Sequence, residues 1–184
     1  MRLLKQKGFT LIELMVSVAI ILILTSVVIA QFGPLSKSRN LKHSRDNMIS
    51  DIRKVQSFSL SAKNVSGTTP SSAYGIILDT ASANTYRLIA EDNANPVNRT
   101  TLETIKLPEN TYIKTISVKK SDGTIINTNS LTIFFKVPYG RVLSSYGTIV
   151  KEANDILTVV LSAPDDSVSG TVVINGITGL ISLQ

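Results

Sequence analysis

Glu13 sits four residues beyond Phe9, at the threshold of the apolar run in "KGFTLIELMVSVAIILIL", which begins at Lys7. A carboxylate at the centre of a membrane helix costs about 2.5–3.5 kcal/mol on insertion scales. Near the end of such a run the cost is smaller, and a lone glutamate among headgroups needs no function. A cut between Gly8 and Phe9 would change its meaning. Phe9 would then carry a cationic α-amine, and Glu13 would share a helical face with it. In a low-dielectric setting both charges gain by pairing, within one chain or between neighbours in a helical array. A pair between chains would also fix the axial register of one against the next. The chemistry written here is cleavage done to the chain, followed by charge-directed assembly.

The other reactive side chains offer less. His43 is the only histidine and stands beside Lys42 and Arg45, where a base or metal ligand would need convergent partners. Asp165–Asp166 follows Pro164 without an oxygen-rich calcium loop of EF-hand type, and reads as an exposed turn. Lys119, Lys120 and Arg141 would form a binding patch if they met. Two lysines on an edge strand more often guard that edge. Tyr74, Tyr86, Tyr112, Tyr139 and Tyr146 lack basic neighbours in a stacking pattern and read as core or surface aromatics. No cysteine is present, which excludes disulfides, thiolate metal sites and cysteine nucleophiles together. No nucleophile-elbow, Walker or dinucleotide-binding spacing occurs. The sequence therefore predicts no catalytic residues, no metal, no cofactor and no enzyme.

The element that must position Glu13 is the apolar run itself. No charged residue occurs from Leu14 to Ser36. About 20 apolar residues in a helix cross a bilayer core of about 30 Å. Arg2, Lys5 and Lys7 precede the run and supply half of the formal net charge of +6. The positive-inside bias then puts the N-terminus in the cytoplasm and everything after Pro34 outside. The remainder is only mildly basic, so the charge is no nucleic-acid signature. A secretory signal peptide fits less well, since its apolar core spans only about 7–15 residues before a small-residue cleavage site.

The basic leader, Gly8, Phe-Thr-Leu-Ile-Glu and the long uncharged run closely resemble the N-terminal signal of type IV pilins and type II secretion pseudopilins. The resemblance implies that a prepilin peptidase cuts after Gly8 and N-methylates Phe9, and that Glu13 is the assembly carboxylate. "NMISDIRKVQSFSLSAKN", "SLTIFFKVPYGRVLS" and "TVVINGITGLISL" are similar to segments of the GspH/FimT-like subgroup of minor pilins. Residues 67–110 show no such similarity. Two departures stand out. A proline often found mid-helix in that family is displaced to Pro34, so any break or kink is expected near Gly33 and Pro34. The closing "GLISLQ" lacks the basic tail associated with DNA binding, which counts against nucleic acid as a partner.

Beyond Pro34, "SKSRNLKHSRD" places Lys37, Arg39, Lys42 and Arg45 on what reads as a solvated helix face. Leu41, Met48, Ile52, Val55, Ser59 and Ala62 follow helical spacing, an amphipathic stripe laid on a core. One long helix is thus expected from about Phe9 to Ala62, ended by the Ser/Thr/Gly/Asn-rich stretch from Asn64 to Ser72. Downstream the period becomes two. "YGIILD", "TYRLIAE", "TLETIKL", "TYIKTISVK", "LTIFFKV", "DILTVVLS" and "GTVVING" read as strands, with hairpin turns at Asp122–Gly123 and Asn175–Gly176. Strands in succession without intervening helices imply antiparallel pairing, so the expected fold class is α+β.

The expected organisation is a leader at 1–8, a membrane or filament-core helix at 9–33, an amphipathic helix and linker at 34–66 and an antiparallel β domain at 67–184. The function implied is a structural subunit, a minor pilin or pseudopilin of a type II secretion pseudopilus or type IV pilus. Its implied partners are prepilin peptidase, other pilins or pseudopilins through the N-terminal helix, and inner-membrane assembly machinery. The expected location is the inner membrane, single-pass, then the filament. The alternative is a filament-tip binding module for DNA or exported protein.

Overall fold

The computed structural model describes residues 9–62, 71–92, 98–146, 149–152 and 155–183. Helix α1 covers Leu11–Leu60. Eleven strands follow among the described residues: β1 (Ser71–Asp79), β2 (Thr85–Asp92), β3 (Arg99–Lys106), β4 (Tyr112–Lys119), β5 (Ile125–Thr128), β6 (Ser130–Lys136), β7 (Arg141–Tyr146), β8 (Ile149–Glu152), β9 (Ile156–Ser162), β10 (Ser169–Asn175) and β11 (Ile181–Leu183). All pairings are antiparallel. They form a six-stranded sheet ordered β3-β2-β1-β6-β7-β8 and a five-stranded sheet ordered β11-β10-β9-β4-β5. The fold class is α+β, as the change of period from helical to two requires. The chain divides into two units, residues 1–36 and 37–184.

In the first unit, Leu11–Ile29 is long and apolar enough to cross a membrane, and none of it is buried. At about 1.5 Å per residue its 19 residues span about 28 Å, close to the thickness of a bilayer core. Its three hydroxyl groups are satisfied internally. Ser17 donates to the Glu13 carbonyl, Thr25 to the Ile21 carbonyl and Ser26 to the Ile23 carbonyl, each at 2.7 Å. The helix continues through Gly33 and Pro34, so no interruption of the element occurs at the expected break.

In the second unit the helix buries one stripe. Leu41, Met48, Ile52, Val55 and Ser59 are all withdrawn from solvent, joined by Ser44 and Ile49. They meet Tyr74, Ile76 and Leu78 of β1, Tyr86 and Leu88 of β2, and Leu131, Ile133 and Phe135 of β6, in one cluster with Val118, Leu157, Val159, Val172 and Ile174 of the other sheet. Alternation along β10, and along β9 up to Leu161, delivers these inward residues, as period-two patterning demands. The first sheet is also apolar on its second face. There Ala73, Ile89 and Phe134 form a smaller cluster, with the Arg99 guanidinium 5.1 Å from the Phe134 ring centroid. Gly75 makes room for the Phe134 ring, because a Cβ at that position would lie 2.9 Å from Phe134 Cδ1 and would also clash with the Ile133 carbonyl oxygen.

Several expectations need correction. The helix ends at Leu60, and Ala62 is exposed with φ of 47°, so it is no part of the buried stripe. Ser71 and Ser72 belong to β1, and residues 64–70 of the expected loop lie outside the described residues. Strands β5, β7 and β8 were not expected. Because β5 pairs with β4, Lys119 sits on an internal strand and guards no edge. Lys37 and Arg45 are not simply solvated. Lys37 Nζ reaches Asp165 Oδ2 at 2.6 Å, and Arg45 packs so closely on β10 that a Cβ at Gly170 would lie 2.5 Å from its Cδ.

The expected hairpin turns are present. Gly123, at φ of 88°, follows Asp122, whose Oδ1 accepts the Thr124 N–H at 2.8 Å. In the last hairpin Asn175 Oδ1 accepts the N–H groups of Ile177 and Thr178, each at 3.0 Å. The Gly176 N–H reaches the Asp155 carbonyl at 2.9 Å.

Candidate functional site

The site begins where α1 begins. Phe9 and Thr10 lie outside the helix, and Phe9 is 78% exposed. Gly8, the expected cleavage residue, lies outside the described residues. Thr10 is the N-cap. Its carbonyl accepts the Leu14 N–H at 3.2 Å, and its Oγ1 accepts the Glu13 N–H at 3.3 Å. Glu13 is exposed in the first turn, where the unpaired N–H groups and the positive end of the helix dipole favour a carboxylate. The cap is a structural feature of this helix start that the Glu13 argument does not need. Its signal was available: Thr10-Leu11-Ile12-Glu13 has the Thr-x-x-Glu spacing of a capping box placed just before an apolar run.

The second group of expected residues is only partly brought together. Lys119 and Lys120 line an open hollow of about 530 Å³ with Asp122, Asp155, Ile156 and Ile177. Arg141 opens β7 in the other sheet and is not among that hollow's lining residues. His43 is exposed, with its Nε2 3.3 Å from Asn47 Nδ2. Among the described residues no three His, Asp or Glu side chains are grouped closely enough to hold a metal ion. Tyr74 and Tyr86 are core residues, and Tyr139 is 86% exposed.

Asp165 and Asp166 form an exposed turn whose carboxylates are engaged. Asp165 accepts from Lys37 Nζ at 2.6 Å and from Ser167 Oγ at 2.8 Å. Lys37 first, then Ser167, holds its carboxyl down at about 2. Asp166 is paired with Lys114 Nζ at 2.9 Å and accepts from Tyr112 Oη and Ser162 Oγ at 2.9 Å each. These bonds, led by Lys114, hold its carboxyl below the usual range. The turn clasps α1 and β4.

An exposed apolar N-terminal span carries a carboxylate in its first turn, and a later helical stretch packs on two antiparallel sheets. Residues 3–29 match the model of the prokaryotic N-terminal methylation motif, which supports a type IV pilin-like protein. No curated protein and no solved structure matches the chain. The motif is the prepilin type, and it implies processing by a prepilin peptidase, a membrane-anchored chain and assembly with other pilins.

Proposed function

We propose that this chain is a minor pilin or pseudopilin of the GspH/FimT-like kind, cut after Gly8, N-methylated on Phe9 and built into a type II secretion pseudopilus or a type IV pilus through Glu13. The observation that carries the reading is the match of residues 3–29 to the methylation motif over a helix start at Leu11 and an exposed apolar span. The basic residues Arg2, Lys5 and Lys7 orient the precursor with its N-terminus in the cytoplasm and the β domain outside. The leader occupies 1–8, the filament-core helix 9–33, the amphipathic helix and linker 34–66, and the β domain 67–184. Before assembly, the exposed span holds the subunit in the bilayer. On leaving it laterally, the same apolar surface packs against other subunits, with inner-membrane machinery driving the transfer. The role is structural.

A second reading, a filament-tip binding module, rests on Lys119 and Lys120 lining one hollow with Ile156 and Ile177. Its DNA form needs Arg141 in the same patch, and Arg141 is in the other sheet. The deciding experiment is intact-mass and N-terminal peptide analysis of the membrane-extracted chain, expressed with and without a prepilin peptidase. The expected result is a peptide that begins at Phe9 and carries one added methyl group, seen only with the peptidase. A chain left uncut, or cut after Ala30, would overturn the reading. Glu13→Ala is then expected to be processed normally and to fail in assembly.

A further inference from the structure

Hydrolysis of the Gly8–Phe9 peptide requires water to add to the Gly8 carbonyl carbon. The C–N bond then breaks, and the Phe9 nitrogen leaves as an amine after gaining a proton. In an α-helix each N–H is given to the carbonyl four residues back. A helix running back through this junction would hand the Glu13 N–H to the Phe9 carbonyl and the Ile12 N–H to the Gly8 carbonyl. The carbonyl to be attacked would then be bonded along the helix axis and shielded by the turn above it.

The cap prevents that arrangement. The Glu13 N–H is taken by Thr10 Oγ1 at 3.3 Å, and the first helical backbone bond runs from the Leu14 N–H to the Thr10 carbonyl at 3.2 Å. Thr10 Oγ1 therefore competes directly for the donor that would draw Phe9 into the helix. The helix begins at Leu11, and Phe9 and Thr10 are left outside it. We infer that Thr10 is a positioning residue for processing: its hydroxyl stops the helix short of the scissile peptide and keeps the Phe9 side of that bond in a non-helical form that a peptidase can engage. This rests on the reading of the chain as a prepilin-type substrate. It assigns to Thr10 a task separate from that of Glu13, whose carboxylate serves after the cut.

The experiment uses the full-length precursor in detergent with limiting prepilin peptidase, followed by intact mass over time. Thr10→Val keeps the side chain's shape and removes the acceptor. Thr10→Ser and Thr10→Asn change the shape and keep a strong cap. Exchanging a cap for a non-cap shifts the helix boundary by roughly two- to thirty-fold. Thr10→Val is therefore expected to lower kcat/KM for cleavage by about five-fold, with slower hydrogen exchange at the Ile12 amide, whose N–H the lengthened helix would give to the Gly8 carbonyl. Thr10→Ser and Thr10→Asn are expected to stay within about two-fold of the parent in both measurements. Cleavage of Thr10→Val at the parent rate would overturn the inference. So would Thr10→Asn being as slow as Thr10→Val, since the peptidase would then be reading threonine itself. A parent chain that is not cut at all would overturn the processing reading together with this one.

Discussion

The Tyr86 hydroxyl donates to the Asp51 carboxylate at 2.6 Å, joining α1 to β2 where both meet the core. Tyr86 is almost wholly buried, and its ring fills space that a phenylalanine would also fill. Tyr86→Phe is expected to cost about 1.5–3 kcal/mol, the range for a hydrogen bond to a charged group. Burial first, then the Asp51 bond, holds the Tyr86 phenol well above its ordinary value of 10.0. A raised value in the folded chain contributes stability that is complete below the unfolded value and is lost as pH rises beyond it. Chemical denaturation of the detergent-solubilised chain should therefore show stability falling above about pH 10, and less steeply in Tyr86→Phe. An unchanged alkaline slope would refute the assignment.

On the acid side the sign reverses. Asp165, held at about 2 against an ordinary 3.8, contributes stability that is present above the ordinary value and lost as pH falls through the folded one. Asp166 is lowered in the same direction by Lys114. Lys37→Met removes the largest cause at Asp165. The variant should lose less stability between about pH 4 and pH 2 than the parent does. Denaturation midpoints across that interval give the comparison, and parallel curves would show that the Lys37–Asp165 pair contributes nothing to folding.

Gly75 carries a steric prediction. A methyl group there would clash with the Ile133 carbonyl oxygen and meet Phe134 Cδ1 at 2.9 Å. The first contact is with backbone of a paired strand, which cannot swing aside. Gly75→Ala should destabilise the β domain by about 1–3 kcal/mol, the usual cost of overpacking. Thermal unfolding followed by near-ultraviolet circular dichroism would register it as a lowered midpoint.

The three hydroxyl groups of the apolar span make the opposite kind of prediction. Each is bonded to a carbonyl within its own helix. None requires a neighbouring chain or water for satisfaction. The triple variant Ser17→Ala, Thr25→Val, Ser26→Ala should alter membrane insertion by less than about 1 kcal/mol. Alkaline extraction of membranes would show the variant retained like the parent; release would mean these groups have partners outside their own helix.

Much of this was legible in the sequence because it is periodic or local. Leu41, Met48, Ile52 and Val55 declare the buried helical face by spacing alone, and alternation in "DILTVVLS" and "GTVVING" declares β9 and β10. Short strands carry too few residues for a pattern. "IINT" supplies four, too few to declare β5 or the internal position it gives Lys119. Arg45 read as solvated because its neighbours in sequence are polar; its packing partner, Gly170, is brought to it only by the fold. Lys37 and Asp165 are 128 residues apart, and no local rule connects them. At the N-terminus the apolar run and Glu13 are plain in the sequence, and Thr10 shows there only as the first member of a Thr-x-x-Glu spacing.

The turn at Asn175 bears on how long such a molecule lasts. An asparagine followed by glycine ages chemically when the glycine nitrogen attacks the asparagine carboxamide, closes a succinimide and releases ammonia. Here the Gly176 N–H is held by the Asp155 carbonyl at 2.9 Å, and the carboxamide oxygen of Asn175 is fixed by two backbone N–H groups at 3.0 Å. Neither partner is at liberty to approach the other. A subunit that is synthesised once and then kept in service outside the reach of replacement would gain a slower clock at the one Asn-Gly pair it carries.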